Sequence, residues 1–276
     1  MRLTFLAVCV ALAMQMGVGT AHADTYPLGQ FNVTSGFTIF ADDFGDGIQP
    51  PSGPWGASSY WGLKGAFPTG VETGGALQLD PLTNGTPVPG FPGRVSVAGY
   101  APLWNQAGTP FLLSGGFALK SPLPGEAYGL NAPEFTGSGP GSYVFDMQSL
   151  QLRVDNVGGT SFVRLAAVDY STGGVTVLGS QAISTVGHDV LGLYLAYSGT
   201  GPIQAYYQYF DGHTPVGTPT AVGSSAYASD ARLLGFFAAA APVPEPESYA
   251  MLLAGLGLLG VASRRKKQKN RVRISR

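Results

Sequence analysis

The stretch VLGLYLAYSGTGPIQAYYQYFDG, residues 190–212, predicts two antiparallel strands joined by a turn. Apolar and aromatic residues fill residues 190–197 and 203–210, which is the composition of β-strands. Glycine and proline at residues 199–202, and Asp-Gly at residues 211–212, are the residue types that turns require. This segment therefore predicts a β-hairpin near the end of a folded body.

The same rhythm extends over the rest of the second half of the chain. Residues 150–155 (LQLRVD) alternate between apolar and polar with period two, as a half-buried antiparallel strand does. Further strands are predicted at residues 162–170, 174–179 and 233–238, with glycine-rich turns between strands. The first half is expected to hold long loops, because prolines cluster at residues 50–51, 87–92 and 122–124. The pattern predicts an all-β antiparallel sandwich or jelly roll.

The amino terminus has the three parts of a secretory signal peptide. Arg2 supplies a positive charge, residues 3–18 are apolar, and Ala21 and Ala23 form a small-x-small cleavage site. We therefore predict a signal peptide over residues 1–23. The single cysteine, Cys9, lies within it, so the mature body is expected to have neither a disulfide nor a thiolate metal site.

The carboxyl terminus also combines three signals in a fixed order. Pro244, Glu245 and Pro246 come first, residues 249–262 are uncharged and apolar, and residues 264–276 are dense in arginine and lysine. The apolar run is shorter than the roughly 20 residues of a comfortable membrane span. Within lipid it must still close its own backbone hydrogen bonds, so we predict a single short transmembrane helix with the cations on the cytoplasmic side.

This order of signals resembles the PEP-CTERM sorting signal of Gram-negative bacteria, with residues 24–241 as the exported body and residues 242–276 as the tail. The resemblance implies recognition by a membrane-embedded exosortase, cleavage near the motif, and a place at the cell surface or in an extracellular polysaccharide or biofilm matrix. It also implies a transient or lasting membrane anchor and passage through the export machinery. The matching residues are Pro244, Glu245, Pro246, Arg264, Arg265, Lys266 and Lys267.

Charge is separated between the body and its tail. The whole chain carries a formal net charge of −1, but residues 24–241 hold six basic and fourteen acidic side chains, a net charge of −8. An acidic body poor in lysine argues against nucleic acid and against anionic lipid head groups as partners. Calcium and neutral sugars remain compatible with it.

Three aspartates near the start of the body could supply oxygen ligands to calcium. Asp42, Asp43 and Asp46 lie in the glycine-containing segment FADDFGDG, and carboxylates on a short loop are calcium ligands. The spacing is not that of an EF-hand loop, and Asp and Gly are also ordinary turn residues. Calcium is therefore an open alternative to a plain turn, and no other cofactor is expected.

Aromatic residues form the second group of candidates. In a strand over residues 203–210, Tyr207 and Tyr209 share one face while Tyr206 and Phe210 share the other. One face must be core, and the other could stack on sugar rings or simply pack. Loop aromatics could join such a platform, and the sugar-stacking candidates are Tyr60, Trp61, Trp104 and Tyr206.

The body also resembles concanavalin-like lectin and glucanase sandwiches in strand rhythm. The similarity lies in FADDFGDG at residues 40–47, Trp55, GGALQLD at residues 74–80, and the hairpin at residues 190–212. Glucanases of that kind place their carboxylates as Glu-x-Asp-x-x-Glu on one strand, and this spacing does not occur in the chain. We therefore expect a non-catalytic polysaccharide- or matrix-binding protein. The alternative is an exopolysaccharide hydrolase or lyase with carboxylates scattered along the sequence.

Overall fold

A computed structural model describes residues 25–44, 71–81, 86–88, 95–138 and 142–240 of the chain. All of them belong to the first of two compact units, Met1–Ala241. Every described element is a strand in one of two antiparallel sheets, which confirms the predicted all-β antiparallel class. The predicted signal peptide and the predicted carboxyl-terminal helix lie outside the described residues.

The described residues form fifteen strands. They are β1 (Tyr26–Ser35), β2 (Thr38–Asp42), β3 (Val71–Thr73), β4 (Ala76–Leu79), β5 (Thr86–Pro87), β6 (Val95–Gln106), β7 (Phe111–Ala118), β8 (Ala127–Thr136), β9 (Val144–Val157), β10 (Thr160–Asp169), β11 (Gly174–Ala182), β12 (Val190–Tyr197), β13 (Pro202–Asp211), β14 (Thr214–Ala226) and β15 (Ala231–Ala240).

The strands divide into an eight-stranded and a seven-stranded sheet. The first has the order β14-β13-β12-β7-β1-β4-β3, with β2 also paired to β1, and the second has the order β11-β10-β9-β8-β15-β6-β5. The consecutive strands β9, β10 and β11 form one meander, and β12, β13 and β14 form another. The predicted hairpin at residues 190–212 is therefore the β12–β13 pair, the first two strands of the second meander.

The interior lies between the two sheets. Leu152 of β9 and Leu165 of β10 are fully buried in one continuous cluster with Leu193 of β12, Phe117 of β7 and Phe236 of β15. Because side chains alternate along a strand, this burial fixes which residues face outward. Each sheet thus has an inward face that is mostly apolar and an outward face of its own.

Two edge strands come close together although they belong to different sheets. The Cα of Gly179 in β11 lies 3.2 Å from a Cβ built on Gly223 in β14, and a Cβ on Gly179 would clash with the carbonyl oxygen of Val222. Gly179 has no positive φ, so its backbone does not require glycine on conformational grounds. Close approach of the backbones requires glycine there instead.

We predict that Gly179→Ala lowers the free energy of unfolding by about 1–3 kcal/mol, because the obstructing atom is backbone and the β11–β14 edge must open. Urea unfolding monitored by tryptophan fluorescence measures this loss. Gly29→Ala is the matched control, since its nearest neighbour would be the Gly116 carbonyl oxygen at 3.8 Å. Equal stability of the two variants would contradict the close approach.

Candidate functional site

The calcium candidates are only partly described. Asp42 ends β2, Asp43 follows it as an exposed residue, and Asp46 lies outside the described residues. Within the described ranges, no group of three histidine, cysteine, aspartate or glutamate side chains could hold a metal ion. The calcium alternative therefore stays a prediction.

The two described sugar-stacking candidates lie on different sheets. Trp104 lies on β6 of the seven-stranded sheet and Tyr206 on β13 of the eight-stranded sheet, and both are half-buried. Tyr60 and Trp61 lie outside the described residues. The outward faces of the two sheets are therefore two separate candidate sites.

The outward face of the seven-stranded sheet carries a row of aromatic rings. Trp104 packs edge-on against Phe135 with ring centroids 5.2 Å apart, and its ring lies 4.5 Å from that of Tyr143. Phe145 continues the row, at 5.3 Å from Phe135 and 5.8 Å from Tyr170. Trp104, the stacking residue predicted on this sheet, thus packs among other aromatic residues.

Beside these rings lies a strip of polar side chains that bond to one another. Ser149 and Gln151 alternate along β9 with core leucines, so they point outward. Both donate hydrogen bonds to the Asn131 side-chain oxygen, at 2.6 and 3.3 Å, and Asn131 donates to the Tyr100 hydroxyl at 2.9 Å. Gln151 also donates to the Tyr170 hydroxyl at 3.1 Å.

Charged residues continue the strip along β9 and β10. Arg153 and Arg164 both lie 3.2 Å from carboxylate oxygens of Asp155. Arg153 and Asp155 are less than one-tenth exposed, and the Arg164 guanidinium lies 5.2 Å from the centroid of the Phe162 ring. One carboxylate thus pairs with two guanidinium groups at this end of the strip.

The uncharged side chains of the strip are buried although they point away from the apolar interior. Asn131, Ser149 and Gln151 are each at most 4% exposed. Burial raises the pKa of the Tyr100 and Tyr170 hydroxyls, and the hydrogen bonds from Asn131 and Gln151 oppose that rise. The amides and hydroxyls of the strip therefore satisfy one another's hydrogen bonds, and we assign them a role in stabilising the fold.

The outward face of the eight-stranded sheet is different. Its centre, which we call the tyrosine face, lies on β7, β12 and β13 and consists of Ser114, Gly192, Tyr194, Gln204, Tyr206 and Phe210. Tyr194 and Tyr206 are directly opposite each other on neighbouring strands, and Ser114 lies on the other side of Tyr194. Gly192 is buried, and the side chains of the other five residues are half-buried, so part of each ring is open to solvent.

Gly192 holds two of these rings close to the sheet. A Cβ at this position would lie 2.7 Å from Cε2 of Phe210 and 2.8 Å from the hydroxyl of Tyr194. The two side chains therefore lean over the bare backbone of the glycine, an arrangement that also shields the strand. Partial burial raises the pKa of the Tyr194 hydroxyl.

Four polar side chains of the tyrosine face make no internal hydrogen bond in the described part of the chain, whereas the neighbouring Gln208, opposite Gly192 on β13, donates to the Gly217 carbonyl oxygen at 2.9 Å. Among the described residues, no side-chain hydrogen bond joins Ser114, Tyr194, Gln204 or Tyr206 to a protein partner. The outward positions of β1, β7, β12 and β13 from Gln30 to Phe210 also carry no charged side chain. The face thus offers aromatic surface and free hydroxyl and amide groups without a fixed charge.

Two asparagines, one on the outward face of each sheet, test whether the polar groups of the strip stabilise the fold more than those near the tyrosine face. We predict that Asn131→Ala lowers the free energy of unfolding by about 1–3 kcal/mol, because it leaves Tyr100, Ser149 and Gln151 without a buried partner. Asn32→Ala, on the outward face of β1, should change stability by less than about 0.5 kcal/mol. Chemical denaturation of both variants measures this, and equal losses would contradict the assignment of the strip.

Glu126, which immediately precedes β8, and Glu134 on β8 do not form a catalytic pair with each other. Glu126 accepts a hydrogen bond from the Tyr26 hydroxyl and is almost fully buried, whereas Glu134 lies 2.7 Å from the guanidinium of the fully buried Arg232. Eight residues along an extended strand separate them by roughly 26 Å, far more than the two carboxylates of a glycosidase allow. Both act within the body as partners of buried polar groups.

Comparison with solved structures gives weak likenesses. A carbohydrate esterase, vb_24B_21 from Shiga toxin-encoding bacteriophage phi24B, shares 14% identity over 52% of this chain and 77% of its own, with a TM-score of 0.22. The VIP36 exoplasmic/lumenal domain shares 12% identity in two forms. The metal-free form aligns over 54% of this chain and 88% of its own, and the Ca²⁺/Man3GlcNAc-bound form over 57% and 89%, each with a TM-score of 0.20.

At these TM-scores the likenesses carry no argument about ligand or activity. No curated protein matches the chain. Within the part of the chain that the structure describes, no helix has both the length and the apolar character needed to cross a bilayer.

The carboxyl terminus gives a specific match. Residues 242–266 match the PEP-CTERM protein-sorting motif, and this range includes the Pro-Glu-Pro sequence, the apolar run and the first basic residues. This confirms the resemblance inferred from the sequence. The chain therefore carries a PEP-CTERM sorting signal, which implies export and processing by an exosortase.

Proposed function

We propose that this protein is an exported surface or matrix protein whose β-sandwich binds polysaccharide without catalysis. The amino-terminal signal peptide at residues 1–23 directs it across the inner membrane, and a short helix at residues 249–262 holds it there until exosortase processing. The body then remains at the cell surface or in the extracellular polysaccharide matrix.

One observation carries the binding proposal. The tyrosine face combines half-buried rings of Tyr194, Tyr206 and Phe210 with hydroxyl and amide groups of Ser114, Tyr194, Gln204 and Tyr206 that have no internal partner among the described residues. Sugar rings have an apolar face of C–H groups and a rim of hydroxyls, so they need both kinds of contact. Aromatic rings supply the apolar contact at a low entropic cost, and the free polar groups supply orientation.

The sorting part of the proposal is tested in the tail. Replacing Glu245 by Gln, or deleting Arg264–Lys267, should leave the protein unprocessed or mislocalised, because the motif or its cytoplasmic charge is lost. Immunoblotting of fractionated cells measures processed and unprocessed chain. Arg276→Gln, beyond the matched residues, is the control. Wild-type processing and location in both tail variants would contradict this part of the proposal.

The binding part is tested at Tyr206. We predict that Tyr206→Ala weakens binding of the full-length protein to polysaccharide about tenfold, the loss expected when a central aromatic contact of about 1.4 kcal/mol is removed. Affinity electrophoresis in mild detergent, through gels containing a neutral β-glucan or mannan, measures the retardation.

Two further variants interpret that result. Tyr206→Phe keeps the ring and should retain most of the binding, whereas Trp104→Ala on the opposite sheet should retain all of it. Circular dichroism of each variant checks that the fold is intact. Loss of binding in Trp104→Ala with none in Tyr206→Ala would overturn the assignment to the tyrosine face.

A specific observation keeps the hydrolase or lyase alternative in view. Burial raises the pKa of Asp146, and the nearby Glu134 raises it further, which is the behaviour of a carboxyl that can serve as a general acid. Glu134, however, is already paired with Arg232. Release of reducing ends from bound polysaccharide, abolished by Asp146→Asn, would support the enzyme instead of the binding protein.

A further inference from the structure

The polar groups of the tyrosine face continue as a line across the sheet. Asn32 of β1 is opposite Ser114 of β7, Ser114 is opposite Tyr194 of β12, and Tyr194 is opposite Tyr206 of β13. All four side chains point outward and are half-buried. We call these four residues the cross-strand row.

The polar groups of the cross-strand row are available to a ligand. No side-chain hydrogen bond to another described residue occupies any of its members. The row crosses three strand spacings, so it extends over roughly 14 Å. Only a chain of several sugar units, lying across the strands, can contact both Asn32 and Tyr206.

The row of residues next to the cross-strand row contains two glycines. On one side Gly116 and Gly192 are opposite each other, and a Cβ on Gly116 would meet nothing closer than 3.6 Å. The sheet surface is therefore low beside Ser114, while the ring of Phe210 rises over Gly192. No side chain therefore projects beside the row at Gly116, whereas the ring of Phe210 projects beside it near β13.

Electrostatics determine which kind of chain fits. No charged side chain occupies the outward positions of β1, β7, β12 and β13. Asp211 follows Phe210 in the chain, Asp189 donates its backbone N–H to the Phe210 carbonyl oxygen at 3.1 Å, and the body as a whole has a net charge of −8. A polysaccharide rich in uronate or sulfate would be repelled by this charge and would meet no cation on the outward positions of these four strands.

We propose that the cross-strand row binds an internal segment of an uncharged, linear polysaccharide that lies across the strands. This inference rests on the proposed function and adds the charge class, the length and the direction of the bound chain. Tyr194 and Tyr206 contact sugar faces near one end, and Ser114 and Asn32 bond to hydroxyls further along.

The experiment compares ligand lengths and two ends of the row. Full-length wild type, Asn32→Ala and Tyr206→Ala are titrated with a disaccharide, a hexasaccharide and the polymer of one neutral β-glucan, in low and high salt. Asn32→Ala should weaken hexasaccharide and polymer binding about two- to tenfold, the value of one hydrogen bond, and leave disaccharide binding unchanged. Tyr206→Ala should weaken all three. Alginate, a uronate polymer, should not bind.

The outcomes separate the two proposals. Binding that needs Tyr206 but is unaffected by Asn32→Ala at every length overturns the inference and leaves the proposed function standing. Preference for alginate through Tyr206 does the same. If Tyr206→Ala changes no binding, or if it only abolishes self-association seen in sedimentation velocity, the face is not a polysaccharide site and both proposals are overturned.

Discussion

Burial of one face of each sheet against the other is the constraint on which the rest of this body depends. The one cysteine of the chain, Cys9, belongs to the predicted signal peptide, and every described element is a strand. Stability must therefore come mainly from the apolar interior between the sheets, where Leu152, Leu193 and Phe117 are fully buried. Strand alternation then determines every outward position.

The two outward faces use their polar groups in opposite ways. On the seven-stranded sheet, Asn131 and Gln151 are buried and belong to a network of side chains that hydrogen-bond to one another. On the eight-stranded sheet, Tyr194 and Tyr206 keep free hydroxyls at a half-exposed surface. A buried network that is fully bonded rigidifies a fold, whereas free donors and acceptors beside exposed rings are what a sugar ligand can bind.

The sequence predicted the second half of the fold better than the first. The strand at Val190–Tyr197 has the predicted bounds, and the predicted strands at residues 150–155, 162–170, 174–179, 203–210 and 233–238 lie within or overlap β9, β10, β11, β13 and β15. The prediction missed β1, the short strands β3 and β5, and also β6, β7, β8 and β14. Glycine pairs and prolines interrupt the longer of those strands, as Gly115-Gly116 does in β7 and Pro133 in β8, and they hide the alternation that identifies a strand.

The candidate site was accessible from the sequence only in part. Alternation along residues 203–210 was enough to separate Tyr206 from Tyr207, and Tyr207 is indeed a core residue. Asn32, Ser114 and Tyr194 could not be grouped with Tyr206, because their proximity depends on the pairing of β1, β7 and β12 over long sequence distances. The polar strip was missed for the same reason, since β8 and β9 bring Asn131 and Ser149 together.

The most direct test is side-chain footprinting of the full-length protein by hydroxyl radicals, with and without a neutral β-glucan. The account predicts that the polysaccharide slows oxidation of Tyr194, Tyr206 and Phe210 and leaves Trp104 and Tyr143 unchanged. Protection of Trp104 and Tyr143 with none at Tyr194 and Tyr206 would contradict it.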